Sequence, residues 1–150
     1  MRKMLQLAVG VLLLLISLPI ASTQAQAQGL SFSEMSVAIS QVSGDAAISV
    51  GDIVRMNEGG QVVRSNIEFD ERMVGVYIPN ATLIYHTGNQ GIPIAFQGQV
   101  FVNGTTAGGP IRLGDLITTS TIAGKGQKSL TARGQVLGIA LGDFDDTSGV

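Results

Sequence analysis

From residue 28 onward, apolar residues occur in short runs that alternate with polar residues, and Gly, Asn and Asp separate the runs. A period of two is typical of strands that bury one face, and no stretch of useful length carries the i, i+3, i+4 pattern of an amphipathic helix. So many short strands and glycine turns predict an all-β fold, a small barrel or sandwich.

The alternation begins with apolar residues at positions 35, 37 and 39. It predicts a first strand that runs to about Val42, before a turn at residues 43–45. A short helix over residues 33–40 is the competing interpretation, because the Ser-Glu pair at its start could begin one. The remaining predicted strands span residues 62–63, 73–78, 82–85, 92–96, 99–102, 111–116 and 136–141.

The chain also aligns with itself without a gap, over residues 48–78 and 111–141. Near the start of each window, residues 48–54 (ISVGDIV) and residues 111–117 (IRLGDLI) both read apolar, any, apolar, Gly, Asp, apolar, apolar. A second glycine follows at the same distance in both windows. We therefore expect a fold built from two pseudo-repeated β units.

Each Gly-Asp pair breaks the alternation, which predicts a bulge or tight turn there. Glycine can adopt the positive φ that such a turn needs, and the Asp carboxylate can accept nearby backbone N–H groups. The later glycine of each window lies inside a predicted strand, where a missing side chain marks a bend or a close backbone approach. We interpret these residues as structural and not as ligands: Gly51, Asp52 and Gly75 in the first window, and Gly114, Asp115 and Gly138 in the second.

Residues 1–27 have the three parts of a secretory signal: Arg2 and Lys3, an apolar run, and a small-residue end at Ala27. We predict cleavage between Ala27 and Gln28, so that residues 28–150 form a single β domain that is secreted or held at the cell surface. The apolar run is shorter than the ~20 residues that span a bilayer comfortably. An uncleaved leader kept as an anchor is the alternative, and it is the only membrane contact we expect.

Composition excludes several classes of protein. The chain has no Cys, no Trp and one His, which argues against disulfide scaffolds, thiolate metal sites and most zinc catalysis. Nine basic side chains, two of them in the leader, face eleven acidic ones, and this balance argues against nucleic acid as a partner. The locally basic residues 112–133 lack interleaved aromatics, so we interpret them as a solvated loop face. We expect no cofactor and no metal.

Two further features have ordinary structural interpretations. His86 is expected at an exposed hairpin tip, and a lone His cannot build a transition-metal site. The acidic residues Asp143, Asp145 and Asp146 lack the glycine and the distal Glu of a calcium-binding loop.

Several segments of this sequence resemble a known type of module: residues 51–54 (GDIV), 72–76 (RMVGV), 93–100 (PIAFQGQV), 111–121 (IRLGDLITTST), 124–128 (GKGQK) and 134–140 (GQVLGIA). Together they resemble a β-rich module of uncharacterised secreted and surface proteins of bacteria, and the resemblance covers about residues 30–146. The chain is also distantly similar to the peptidase G2-type C-terminal autoproteolytic chaperone domain of phage tail spikes. The resemblance implies a fold and assigns no catalytic residue.

The expected function is therefore that of a non-enzymatic β module with a structural or protein-interaction role. The tail-spike similarity implies the alternative, a self-processing chaperone or assembly domain. Such a domain needs a nucleophile beside a base, and Ser120 and Ser129 lie close in sequence to Lys125 and Lys128, with His86 as the other candidate base.

After the second window, residues 142–150 read as a turn leading into a strand that does not follow. In the bacterial proteins that it resembles, the module commonly continues into a further strand. We expect either that the chain is truncated before a final strand, or that a protein partner or a second copy supplies one through edge-strand pairing.

Overall fold

The computed structural model describes residues 35–86, 88, 91–131 and 134–145. The predicted leader and its cleavage site at Ala27 and Gln28 lie outside these residues. All regular structure within them is β, and they include no helix long and apolar enough to cross a membrane. The all-β prediction is confirmed.

The described residues form nine strands in two sheets. The strands are β1 (Val37–Gln41), β2 (Ile53–Met56), β3 (Val62–Arg64), β4 (Met73–Tyr77), β5 (Leu83–Tyr85), β6 (Ile92–Gln97), β7 (Leu116–Thr119), β8 (Gly126–Lys128) and β9 (Gly138–Ile139). The first sheet has the order β3-β2-β4-β6-β1-β5, and the second has the order β8-β7-β9. The sheets do not close into a barrel.

Strand β1 lies inside the first sheet. It pairs antiparallel with β6, with Ile39 opposite Ile94, and parallel with β5, with Ala38 opposite Ile84. The buried face of β1 carries the small residues Ala38 and Ser40, and Ser36 just before the strand is also buried, whereas Ile39 is only half-buried. Packing therefore selects the small residues and not the larger apolar ones that the alternation emphasised.

This position of β1 corrects two expectations. Residues 37–40 are strand, so the short-helix alternative is wrong for them. The predicted hairpin with His86 at its tip is also wrong, because β1 lies between β5 and β6. His86 follows β5 on the surface, with its Nδ1 3.4 Å from Ser40 Oγ.

The apolar core lies on strands β2, β3, β4 and β6 of the first sheet. Its largest fully buried apolar side chains are Ile53, Val54, Val62, Val76 and Ile94. Removing such side chains from water is the main favourable term that holds the sheet together.

The two Gly-Asp pairs form the same turn. Gly51 and Gly114 have φ values of +88° and +89°. The carboxylate of Asp52 accepts the backbone N–H of Ser49 at 2.8 Å, and that of Asp115 accepts the N–H of Arg112 at 2.8 Å. In each turn the carboxylate therefore satisfies a backbone donor three residues earlier in the chain.

Both turns bond to their sheets through matched backbone groups. Gly51 N–H donates to the Tyr77 carbonyl at 2.9 Å, and Tyr77 N–H donates to the Asp52 carbonyl at 3.0 Å. The second turn makes the same two bonds with Ala140, each at 2.8 Å.

The strands that follow the two turns also pair in matched register. Val54 lies opposite Gly75 in the β2–β4 pair, and Ile117 lies opposite Gly138 in the β7–β9 pair.

The hairpin between these strands departs from the gap-free alignment. Val54 pairs with Arg64, but Ile117 pairs with Lys128. The first hairpin loop is closed by a hydrogen bond from Asn57 N–H to the Gln61 carbonyl, and the second by one from Ser120 N–H to the Lys125 carbonyl, so the second loop is one residue longer. The alignment therefore needs a gap inside the hairpin.

Other predicted strands differ from the observed ones. Residues 99–102 form no strand, and only Ile111, of the predicted strand 111–116, makes a bridge before the turn at residues 113–115. The sequence analysis predicts no strand at β2 or β8, and of β7 it includes only Leu116. Both Ile53 and Val54 are fully buried, so β2 shows no alternation, and β8 is a polar Gly-Gln-Lys segment.

A buried polar cluster joins the two sheets. Asp70, in the loop before β4, donates its backbone N–H to Thr119 Oγ1 on β7 at 2.8 Å. Its Oδ2 accepts the Ser65 hydroxyl at 2.7 Å and lies 2.8 Å from Arg55 Nε. Because buried polar groups are costly unless they are paired, this cluster fixes how the sheets meet.

Candidate functional site: an apolar cleft beside β9

A cleft of about 690 Å³ opens between the first sheet and strand β9. Three stretches of chain form most of its wall: residues 73–76 of β4, residues 95–102 at the end of β6 and beyond it, and residues 136–144 around β9. Asp143 is the one charged residue among the described residues that line it. The cleft is therefore mainly apolar, as ligand and peptide grooves usually are.

The cleft exists because β6 leaves β4 halfway along their pairing. Val76 lies opposite Ala95, but beyond Ala95 the chain bulges at Phe96, where the register with β1 shifts. Gly98 then turns with φ +112°, and its α-carbon faces the Met35 carbonyl too closely for any side chain. The chain after Gly98 consequently forms a separate wall of the cleft.

Large apolar side chains remain exposed along this wall and along β9. Phe101 is 96% exposed, Leu141 64%, Ile139 61% and Phe96 55%. Single exposed apolar residues are ordinary, whereas a group of them around one groove is typical of binding surfaces.

Strand β9 forms one edge of the second sheet, and within the described residues only β7 pairs with it. An edge strand presents unpaired N–H and C=O groups, which can pair with another strand. In the first sheet the matching strand, β4, has β2 on one side and β6 on the other.

Residues 143–145, which follow β9, bond to residues 111–113 at one end of the cleft. Phe144 exchanges two backbone hydrogen bonds with Ile111, at 2.9 and 3.0 Å. Asp143 Oδ1 accepts the N–H of Leu113 at 2.8 Å, and Arg112 Nη2 lies 3.1 Å from Asp145 Oδ2. These contacts hold this wall in place.

Of the residues singled out in the sequence, Gly75 and Gly138 line the cleft. Gly51, Asp52, Gly114 and Asp115 lie in the two turns and do not line it. The predicted cleavage site at Ala27 and Gln28 lies outside the described residues.

The candidate nucleophiles lie in turns. The Ser120 hydroxyl donates to the carbonyls of Ile122 and Lys125, at 3.1 and 2.9 Å, and the Ser129 hydroxyl donates to the Thr131 carbonyl. Lys128, one of the candidate bases, forms an ion pair with Asp115, in which Nζ lies 2.9 Å from Oδ2.

His86, the other candidate base, contacts Ser40 and neither of these serines. In the part of the chain that the structure describes, no group of three or more His, Cys, Asp or Glu residues is arranged to hold a metal ion.

In each of two ion pairs, the pKa of the aspartate is lowered. The ammonium of Lys128, helped by the Arg112 N–H, lowers the pKa of Asp115 below its usual value. The Arg64 guanidinium, 2.8 Å away, followed by the Ala47 N–H, lowers the pKa of Asp45. None of the four residues of these two pairs lines the cleft.

Comparison with known proteins adds no relative, since no family model, curated protein or solved structure matches this chain. The candidate site therefore depends on its own geometry. Sequence reasoning missed its wall by predicting a strand at residues 99–102. The three consecutive apolar residues Val100, Phe101 and Val102 break a period of two, and this signal could have identified them.

Proposed function

We propose that this chain is a β module exported to the cell envelope or the extracellular space, with a structural or protein-interaction role and no catalysis of its own. The observation that carries the proposal is the apolar cleft beside β9, with Phe101 almost fully exposed on its wall. The signal-like pattern of residues 1–27 supports the export part of the proposal.

We also infer that the module arose by duplication of one β unit. The matched turns at Gly51 and Gly114, with matched carboxylate and backbone hydrogen bonds, support this inference. A further pair of bonds supports it: Ser65 N–H donates to the Ile53 carbonyl, and Ser129 N–H donates to the Leu116 carbonyl.

The interaction role is tested by site-specific photocrosslinking in intact cells that export the protein. A photoreactive phenylalanine analogue replaces Phe101 in one variant and Leu130 in the other. Leu130 is also exposed but does not line the cleft. We expect one defined protein adduct from position 101 that disappears when Ile139→Ser is added. Equal adducts from both positions, or none from position 101, would contradict the role.

Export is tested by sequencing the amino terminus of the protein recovered outside the cytoplasm. We expect it to begin at Gln28. A product that keeps Met1 and sediments with membranes would instead support the anchored alternative.

The absence of self-processing is tested by the intact mass of the purified protein over several days. We expect the mass to stay constant. A new amino terminus that Ser120→Ala abolishes would support the self-processing chaperone alternative.

A further inference from the structure

The buried face of β1 lies on the same side of the first sheet as the cleft. Ala38 and Ser40 are buried on this face, and Ser36 just before the strand is buried as well. Ala38 lies directly opposite Ala95, and directly opposed residues of an antiparallel pair share one face. Ala95 lines the cleft. The even-numbered side chains of β1 therefore face the side on which the cleft opens.

The chain enters β1 beside the cleft. The Met35 carbonyl lies against the α-carbon of Gly98, and Gly98 lines the cleft. Ser36 is held in place by two bonds: its N–H donates to Thr82 Oγ1 at 3.3 Å, and its hydroxyl oxygen accepts the Thr82 N–H at 3.2 Å. The segment that precedes Met35 therefore starts at the Gly98 end of the cleft, which we call its mouth.

The cleft wall at residues 99–102 has room for a strand partner. Within the described part of the chain, no backbone hydrogen bond joins this stretch to any other. Strands β1 and β6 run antiparallel, with Val37 opposite Gln97. Continuing this register backward along the chain would place residues 32–34 beside the last three residues of the wall. A strand there would supply backbone partners that the wall lacks.

Residues 28–34 (QGLSFSE) have the pattern of a strand with one apolar face. Leu30 and Phe32 alternate with serines at positions 31 and 33. Both apolar positions are even-numbered, like the buried residues of β1. Because side chains of an extended chain alternate between two faces, Leu30 and Phe32 would share the cleft side with that buried face.

We propose that residues 28–34 extend β1 along the wall and place Leu30 and Phe32 in the apolar cleft. A strand advances about 3.3 Å per residue, so Phe32 lies within roughly 10 Å of Met35 and Leu30 within roughly 17 Å. Both are therefore close enough to enter the cleft from its mouth. They would cover exposed apolar side chains around it, namely Phe101, Ile139 and Leu141.

The one charged residue of this segment stays outside the apolar part of the cleft. Glu34 directly precedes Met35 and so lies at the mouth. The neighbouring Gln97 and Gln99 are exposed to solvent there. The carboxylate can thus remain hydrated while the two apolar residues before it are buried, which avoids the cost of an unpaired charge in an apolar groove.

Its short tether favours this segment over a separate molecule. Phe32 is three residues from Met35, and a short tether gives an effective concentration in the millimolar range. Strand β9 of a second copy, or a strand of another protein, would have to displace the segment first. This inference goes beyond the proposed interaction function, because the segment covers the cleft with or without a partner and limits a partner's access to it.

The first test uses tryptophan fluorescence, because the chain has no Trp. Phe32→Trp places the reporter on the proposed cleft side, and the matched control Ser33→Trp places it one residue away on the other side. We expect Phe32→Trp to emit at shorter wavelength and to be shielded from iodide, and Ser33→Trp to emit as an exposed Trp. Exposed emission from Phe32→Trp, or the same emission from both variants, would overturn the proposal.

The second test identifies what occupies the cleft. A photoreactive phenylalanine analogue replaces Phe101 in the purified protein, and Leu130, exposed and outside the cleft lining, is replaced in the control. We expect an adduct within one chain that mass spectrometry maps to residues 28–34. Its yield should not depend on protein concentration, and the control should lack it. An adduct between two chains would assign the cleft to a second copy and overturn the proposal, as would the absence of any adduct with residues 28–34.

Position 101 also separates this inference from the proposed interaction function. An adduct within one chain of the purified protein, without any partner adduct in cells, would support the covered cleft and contradict the interaction role. A partner adduct in cells, without an adduct to residues 28–34 in the purified protein, would do the reverse.

Discussion

The backbone N–H of Asp70 donates a buried hydrogen bond of 2.8 Å to the hydroxyl of Thr119, and this bond joins the loop before β4 to strand β7 of the other sheet. Both residues are almost fully inaccessible to solvent. Water cannot replace either partner there, so the bond should matter more to stability than an average surface hydrogen bond.

Thr119→Val should therefore destabilise the domain by about 1–3 kcal/mol, because it keeps the shape of the side chain but leaves the Asp70 N–H without an acceptor. Thr119→Ser keeps the hydroxyl and should cost less. Urea denaturation of the two variants measures the difference. A loss in Thr119→Ser together with little change in Thr119→Val would mean that the methyl group, and not the hydrogen bond, is what matters at this position.

Arg55 and Asp70 provide a second test of the same cluster. Asp70 is 3% exposed, so removing its ion partner with Arg55→Met should cost about 3 kcal/mol. The matched control is Arg72→Met, which removes an exposed ion pair with Glu58 at 3.8 Å and should cost less than about 0.5 kcal/mol. Thermal melts of the two variants compare them directly, and similar shifts would contradict the buried-pair interpretation.

Gly75 is expected to tolerate no side chain. Gly75→Ala forces a Cβ into the Ala95 backbone, so the variant should lose roughly 3 kcal/mol or more, or fail to fold. The control Gly59→Ala, at an exposed loop position, should change stability by about 0.5 kcal/mol or less. Circular dichroism melts would show the contrast, and a stable Gly75→Ala variant would mean that β4 and β6 can separate at little cost.

Acid should weaken the domain partly through Asp115. Lys128 and the Arg112 N–H lower the pKa of Asp115 in the folded state below the reference value of 3.8. The stability that comes from this shift is fully present above about pH 4, and it is lost as the pH falls through the folded-state pKa.

Urea titrations of the native protein and of Asp115→Asn between pH 7 and pH 2.5 test this expectation. The native protein should be the more stable at pH 7, and the gap between the two should close below about pH 4. A gap that stays constant over the whole range would assign the effect of the variant to the turn and not to the ion pair.

Sequence patterns located much of the β structure but not its arrangement. Strands β4 and β6 lie within a residue or two of where the sequence predicts them. The sequence pattern does not predict β2, because Ile53 and Val54 are both buried and the period of two is absent there. The place of β1 between β5 and β6 depends on partners far along the chain, and no local pattern carries that information.

The sequence predicts only part of the candidate site. The equal spacing of Gly75 and Gly138 was evident in the sequence, but their different surroundings follow from where β6 runs. The sequence predicts a strand at Val100 and Phe101 of the cleft wall because the composition there is strand-like. The bulge at Phe96 and the turn at Gly98 divert the chain there, and both depend on contacts with β1.

The position of β1 also constrains the order in which the chain can assemble. Ile39 must find Ile94, and Ala38 must find Ile84, so the first strand to be synthesised stays without its partners until about 50 more residues exist. The entropy cost of closing loops of this length must be met before β1 makes its contacts, and this slows folding. We therefore expect the domain to fold in milliseconds to seconds, as β proteins with many non-local contacts do. On a ribosome, β1 would thus remain unpaired until β5 and β6 have been added, whereas the local β2–β3 hairpin can form earlier.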